Sequence, residues 1–373
     1  MKTTRRYAVG LAAIAVATAG LLAGTAGGAS AAGPPAFVGP LHHTSVIAST
    51  VPANGDVNPY GVAVIPRSTG DLIRGNVLVS NFNNKANVQG TGTTIVQVTP
   101  SGKVSLFAKI NRHLPSCPGG VGLTTALTAL RSGWVIVGSL PTKKGAISGS
   151  GCLIVLDSFG HVRETFTGNG INGPWDMATL DLGGQAVLFV TNVLNGTVAG
   201  NGKTVFGGTV IRLVIKIPSM GLPFIWFDTT IASGFPQALN SSALVLGPTG
   251  AGLGPNGVLY VADNIDNRIA GIPNALFRSF SAGTGFIVSQ GHNLLAPLGL
   301  VIAPNGNILT VNGGNGNLVE VTPSGAQIAV RQLDSSGGPP PGAGALFGLA
   351  VKPGHDAVYY VDDATNTLNL LHH

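Results

Sequence analysis

Charge is what this sequence has least of. Asp, Glu, Lys and Arg make up 9% of its 373 residues, and aromatic residues 6%. Only two cysteines and three tryptophans occur. Each shortage narrows the function. No Lys/Arg cluster stands outside the N-terminal segment, so no basic face exists to neutralise phosphates and no nucleic-acid partner is expected. No Gly-x-Ser-x-Gly elbow, Walker loop or zinc-protease helix occurs. The stretch GNGKTVFGG (200–208) carries Gly-Lys-Thr but lacks the four-residue gap of a phosphate loop, and reads as a connection. Past residue 31 no apolar run is long enough to span a membrane.

The chain starts with Lys2, Arg5 and Arg6, continues as an Ala/Val/Leu/Gly run over 8–23, and reaches Ala-Ser-Ala at 29–31. A basic start, a short apolar stretch and a small-residue cleavage site read as a secretory signal peptide over 1–31. The Arg pair leaves general and twin-arginine export both open. No cysteine lies near the cleavage site, so no lipid anchor is expected. Without those three basic residues the formal charge falls from +6 to +3, so the basic balance belongs partly to export. A secreted, extracellular or envelope-associated protein is expected. Cys117 and Cys152 then read as a disulfide, with two buried thiols as the alternative.

What is abundant is turn chemistry: 56 glycines and 24 prolines between short β-branched runs. These runs repeat. NPYGVAVIP (58–66), APLGLVIAP (296–304) and ALFGLAVKP (345–353) resemble one another. Each is followed by a turn and a second apolar run: GNVLVSN (75–81), GNILTVN (306–312) and DAVYYVDD (356–363). A third run follows, TTIVQVTP (93–100) or GNLVEVTP (316–323), and VTPSG itself occurs twice, at 98–102 and 321–325. Four β-rich runs with Gly, Asn and Pro between them make one antiparallel unit. Six such units fit, over approximately 58–110, 119–168, 171–230, 236–290, 295–335 and 344–373. The two VTPSG copies lie 223 residues apart, four units of about 56 residues each. The last unit lacks a fourth strand, and HTSVIAST (43–50) stands alone before the first. The expectation is an all-β, six-bladed β-propeller over 32–373, closed by an N-terminal strand that completes the last blade.

The strand pattern G-N-x-L/Y-V-x-N/D, best developed in PNGVLYVADNIDNRI (255–269), resembles the NHL-repeat branch of the TolB-like six-bladed propellers. That resemblance implies a fold and leaves function to the site. Calcium-dependent lactonases of the superfamily carry a Glu/Asn/Asn/Asp set around the channel, and amidating lyases of similar fold use a His-based zinc centre.

In such a blade, the loop leading into strand one and the loop joining strands two and three share a face. Here the long loops (81–92, 109–120, 139–150 and 192–207) all fall on it, while the other face has tight turns. Cys117 and Cys152 both belong to the long-loop face, which the disulfide requires. Ligand binding is therefore expected there. The residues ahead of each first-strand run are Gly61, Thr125, Asp176, Ser242, Gly299 and Gly348, and Asp176 alone is ionisable. Asp176, Trp175 as a stacking residue, Asn58, His113 and His292 are the candidate ligand contacts. Asp176 is the candidate metal ligand if a metal binds, calcium being the ion the resemblance allows, and no cofactor is otherwise expected. His113 and His292 equally read as solvated loop histidines; His161 and His355 fall on the tight-turn face, and His42, His43, His372 and His373 in the closing blade. Trp134 and Trp226 read as core. Asn81, Asn192, Asp263, Asn312 and Asp362 after the second strands read as turn caps. No catalytic set is complete. The leading reading is a secreted, non-catalytic module that binds an extracellular protein, glycan or small molecule on the long-loop face. The alternative is a metal-dependent lactonase-type hydrolase or lyase at the channel mouth near Asp176.

Overall fold

A computed structural model describes residues 35–373, apart from Pro118, Ser242 and His355. The expected signal peptide lies outside the described residues, as do Ser242 and His355. No helix occurs among the described residues, and six antiparallel sheets follow one another along the chain as the blades of a propeller. Blade one runs Val57–Val64, Val77–Asn83, Thr94–Val98, Val104–Lys109, and blade two Leu123–Ala129, Val135–Ser139, Cys152–Leu156, Val162–Phe166. Blade three runs Pro174–Asp181, Gln185–Asn192, Val205–Lys216, Phe224–Asn240, and blade four Pro248–Leu253, Leu259–Asp263, Arg268–Ile272, Phe286–Gln290. Blade five runs Pro297–Ile302, Ile308–Asn312, Asn317–Val321, Gln327–Gln332. Blade six takes Leu346–Val351, Val358–Asp362 and Thr367–His372 from the C-terminus, and His43–Ser49 pairs antiparallel with Thr367–His372 to supply its fourth strand.

Burial follows strand position. The second strand of blade one, Val77–Asn83, is buried throughout, because blades on both sides cover it. The outer strand Val104–Lys109 is mostly exposed. Continuous apolar runs therefore mark middle strands. The first strands of successive blades touch in a ring. Where they converge, glycine makes room: a Cβ on Gly61 would strike Leu127 and the Thr124 carbonyl, one on Gly250 the Leu298 carbonyl, one on Gly299 the Phe347 carbonyl, and one on Gly348 the Tyr60 carbonyl.

The repeated VTPSG is the turn from third to fourth strand. In both copies the threonine hydroxyl accepts a backbone N–H four residues on, Lys103 N to Thr99 Oγ1 at 2.9 Å and Ala326 N to Thr322 Oγ1 at 3.0 Å. The glycines have φ of 88° at Gly102 and 98° at Gly325. A Cβ on either would meet the backbone of the preceding blade's outer strand, Ile47 for Gly102 and Val288 for Gly325. The motif thus sets the turn and the spacing between blades together.

Ahead of the first blade, residues 36–41 run against blade five. The buried Glu320 carboxylate accepts the Phe37 and Val38 backbone N–H groups at 2.8 and 2.9 Å, and the Asn305 and Asn307 side-chain amides at 3.0 and 2.7 Å. Arg331 donates to the Leu41 and Gly39 carbonyls.

Two expectations about strands change. The stretch expected to start blade four does not do so. Its first strand is Pro248–Leu253, so the position assigned to Ser242 belongs to Gly250. The preceding stretch forms a hairpin, Ala238–Asn240 against Leu244–Leu246, which prolongs blade three's unusually long outer strand. Trp226 is also not core. It is 62% exposed on that strand, with Lys216 Nζ 4.1 Å above its ring. Trp134 is partly buried against the core between blades two and three.

Candidate channel site

The chain places a large apolar residue at the start of four first strands: Tyr60, Trp175, Leu298 and Phe347. All four are buried and meet at the long-loop end of the channel. Tyr60 stacks on Phe347 and Phe82, with centroids 4.0 and 4.3 Å apart, and Trp175 lies 6.0 Å from Tyr60. The Ala238–Leu246 hairpin lies over this plug, adding Ala243, Leu244 and Val245 to the same cluster. Trp175 Nε1 donates to the Val245 carbonyl at 3.1 Å. The long-loop end is therefore closed.

Beyond the plug the channel is open. A cavity of about 440 Å³ is lined by all six first strands, from the level of Thr125 and Asp176 to their last residues. Exposure rises along those strands toward the tight-turn face, as in Pro174–Asp181 and Leu346–Val351. Asp176 thus sits at the inner end of a channel that opens on the face opposite the one expected.

Asp176 is 7% exposed and is the one carboxylate of the channel wall. Burial raises its pKa to about 7, against the opposing effect of hydrogen bonds from the Met177 and Ala251 backbone N–H groups. The Met177 bond to Oδ1 is 2.7 Å. Its own N–H donates to Thr191 Oγ1 at 3.0 Å, and that hydroxyl donates on to the Thr249 carbonyl in the next blade at 2.8 Å. Three threonines, Thr125, Thr128 and Thr179, also line the cavity; the Oγ1 atoms of Thr125 and Thr179 are themselves buried and have no hydrogen-bond partner among the described residues. A carboxyl that changes charge near neutral pH inside a cavity is placed to move protons.

The other expected contacts are not brought together here. Trp175 is 2% exposed inside the plug and offers no face for stacking. Asn58 is buried at the junction of blades six and one; its backbone N–H donates to Asn366 Oδ1 at 2.7 Å. His113 and His292 are exposed on the long-loop side, in the segments leading into blades two and five. Among the described residues no group of three or more His, Cys, Asp or Glu is placed to hold a metal. Calcium takes six to eight oxygen ligands, carboxylates among them. One carboxylate among side chains that are otherwise aliphatic or hydroxyl does not fit it. The polar residues after the second strands divide. Asp263 and Asp362 serve their own turns, Asp263 accepting from the Asp266 N–H and pairing with Arg268 at 2.8 Å and Asp362 Oδ1 accepting from the Thr365 N–H, while Asn192 Oδ1 accepts from Asn172 and Gly173 and Asn81 donates to the Thr50 carbonyl. Cys117 and Cys152 form the expected disulfide, Cα–Cα 5.5 Å.

Sequence reasoning found Asp176 and missed Thr179 and the direction of the channel. The signal for the plug was present: Pro-Tyr-Gly, Pro-Trp-Asp, Pro-Leu-Gly and Leu-Phe-Gly each put a bulky apolar residue just before the channel position.

No protein-family model matches the chain, and no curated protein matches it. Solved structures do, at low identity. One described as a putative gluconolactonase is 14% identical, with 88% of this chain and 91% of that one covered and a TM-score of 0.52. A gluconolactonase of Xanthomonas campestris is 11% identical, covering 88% and 89%, TM-score 0.52. A PQQ-bound aldose sugar dehydrogenase of Streptomyces coelicolor is 16% identical, covering 88% and 98%, TM-score 0.53. Fold and comparisons define a six-bladed β-propeller of the kind seen in these enzymes. The expectation of a non-catalytic binding module is corrected accordingly: the structures it resembles are described as enzymes, and the channel mouth on its long-loop face is filled by the plug.

Proposed function

We propose that the protein is a lactonase-type hydrolase that opens a cyclic ester by acid–base chemistry at Asp176. One observation carries this reading: a single buried carboxyl, titrating at about pH 7, lines a 440 Å³ cavity open to solvent at one end. The resemblance to gluconolactonase structures supports the class. Ionised Asp176 accepts a proton from a water whose oxygen attacks the acyl carbon. As the ring C–O bond breaks, the carboxyl returns the proton to the leaving alkoxide, and the product is a hydroxy acid. Removing such a base costs about 10²–10⁴ in rate. The aliphatic wall keeps the carboxyl poised between its two charge states.

The test is lactone opening by the purified mature chain, followed by acid release. Turnover should rise with pH through about 7 and withstand chelator. It should fall at least about a hundredfold in Asp176→Asn. Unchanged turnover in that variant, or its loss on chelation, would refute the reading.

On the blade repeats alone we also infer an NHL-type propeller exported through residues 1–31. The Cys117–Cys152 bond, which forms in oxidising compartments, supports export.

A further inference from the structure

Four segments meet over the outer side of the plug: the loops 81–92, 139–150 and 192–207 of blades one, two and three, and the hairpin 238–246. Hydrogen bonds tie them together. Gln89 Nε2 donates to the Ser241 carbonyl at 2.9 Å, and the Thr142 N–H donates to the Gly90 carbonyl at 3.1 Å. Between them lies a second cavity, of about 430 Å³. Leu244, which belongs to the plug cluster, lines it, so the plug separates this cavity from the channel. Ala146, Ile147, Val198 and Leu239 add further apolar side chains. Val198 and Leu239 are 54% and 40% exposed, which leaves apolar surface open to a ligand.

Charge is unevenly spread around this cavity. Lys143 and Lys144 stand at the turn of a small hairpin, Thr142–Lys143 against Ala146–Ile147. Lys203 ends a compact turn that starts at Gly196 and carries Val198; Gly200 N–H donates to the Gly196 carbonyl and Lys203 N–H to the Gly200 carbonyl. Lys85 stands in the blade-one loop. All four lysines are exposed, and none is in an ion pair among the described residues. The four segments contain no Asp or Glu. Asp266, Asp334 and Asp363, the less buried carboxylates of the long-loop face, belong to blades four to six. The fold thus gathers, beside an apolar cavity, cations drawn from three separate loops.

We propose that this cavity binds a medium-chain carboxylate, its hydrocarbon chain against Ile147, Val198 and Leu239 and its anionic head among Lys143, Lys144 and Lys203 at the rim. Charge selects the sign of the head, and volume the length of the chain. At about 30 Å³ for a water-sized group, the cavity holds roughly ten to fifteen non-hydrogen atoms, a chain of about ten carbons with its carboxylate. A compact anion would leave the apolar surface wet, and a neutral chain would leave the lysines unused. The site lies outside the channel. It goes beyond the hydrolase reading and does not depend on it.

The experiment titrates the purified mature chain by calorimetry with decanoate, 1-decanol, decyltrimethylammonium and acetate. Decanoate should bind at one site, with decanol about threefold to tenfold weaker and decyltrimethylammonium weaker than decanol. Acetate should bind at least about a hundredfold more weakly than decanoate, since it lacks the chain. The double variant Lys143→Gln, Lys144→Gln should weaken decanoate about threefold to tenfold and leave decanol unchanged. It should melt like the parent, because neither ammonium is paired in the fold. Val198→Ser should weaken decanoate and decanol alike, by about threefold. Asp176→Asn should bind decanoate as the parent does, because Asp176 lines the other cavity. No decanoate binding, decanol binding as tight as decanoate, or unchanged decanoate affinity in either cavity variant would overturn the inference. So would a changed decanoate affinity in Asp176→Asn, since the acid would then lie in the channel. The two readings separate: lactone opening without decanoate binding leaves the hydrolase and sinks this site, and decanoate binding without lactone opening does the reverse.

Discussion

The charge state of Asp176 should be readable as a pH dependence of stability. Burial lifts its folded pKa to about 7 from an ordinary value of 3.8. Between those values the folded chain holds a proton that the unfolded chain has released. Stability from this group is therefore full below about pH 4, is lost as pH rises toward 7, and is constant above. One proton is worth about 1.4 kcal/mol per pH unit, so the total loss is about 4 kcal/mol. Asp176→Asn keeps the shape of the neutral acid and removes the titration. Urea unfolding of both proteins from pH 4 to 8.5 isolates the term, because every other titrating group is shared and cancels in the difference. The variant should gain on the parent steadily up to about pH 7, then hold its advantage. A difference flat across that range would refute the reasoning. It would mean that the Met177 and Ala251 N–H groups, or a cation in the channel, already hold the carboxylate ionised. In the second case chelator would restore the slope.

Two further outcomes test the frame that holds the site. Gly325→Ala asks for a side chain at φ 98° and pushes a methyl onto the Val288 carbonyl of the preceding blade, so a loss of at least about 2 kcal/mol in a denaturant melt is expected. Glu320→Gln leaves a carboxamide where a carboxylate accepts two backbone and two side-chain N–H groups. It should cost about 2–3 kcal/mol and raise hydrogen exchange at Phe37 and Val38 ahead of the blades, measured by mass spectrometry.

Much of the architecture was legible because the propeller repeats a structural need six times. The third-to-fourth turn demands a glycine with positive φ lying against the preceding blade's outer strand, which VTPSG supplies in blades one and five and Gly160 in blade two. Closure by 43–50 was legible because a lone strand and an incomplete blade imply each other. The blade-four boundary was not. Residues 244–246 are extended, but they pair back on 238–240, the end of blade three's own outer strand. Local pattern states that a segment is extended and leaves its pairing partner open. Trp226 misled for the same reason: a tryptophan in a strand run reads as buried, and the outward face of an outer strand carries the same run.

The site divides along that line. Asp176 stood out because a lone ionisable residue in a ring of small ones is a departure from repeat, and departures are local. Which end of the channel it serves is a collective property. It depends on Tyr60, Trp175, Leu298 and Phe347 meeting across four blades, and on the hairpin carbonyl of Val245 that receives the Trp175 indole N–H. None of these residues is unusual at its own position, since each merely begins a strand. Their sum moves the accessible face from the long loops to the tight turns. It also helps to bury Asp176, and burial is what raises the carboxyl's pKa. The plug and the charge state of the acid are thus linked: a chain that opened its long-loop mouth to water at Asp176 should show a lower pKa there.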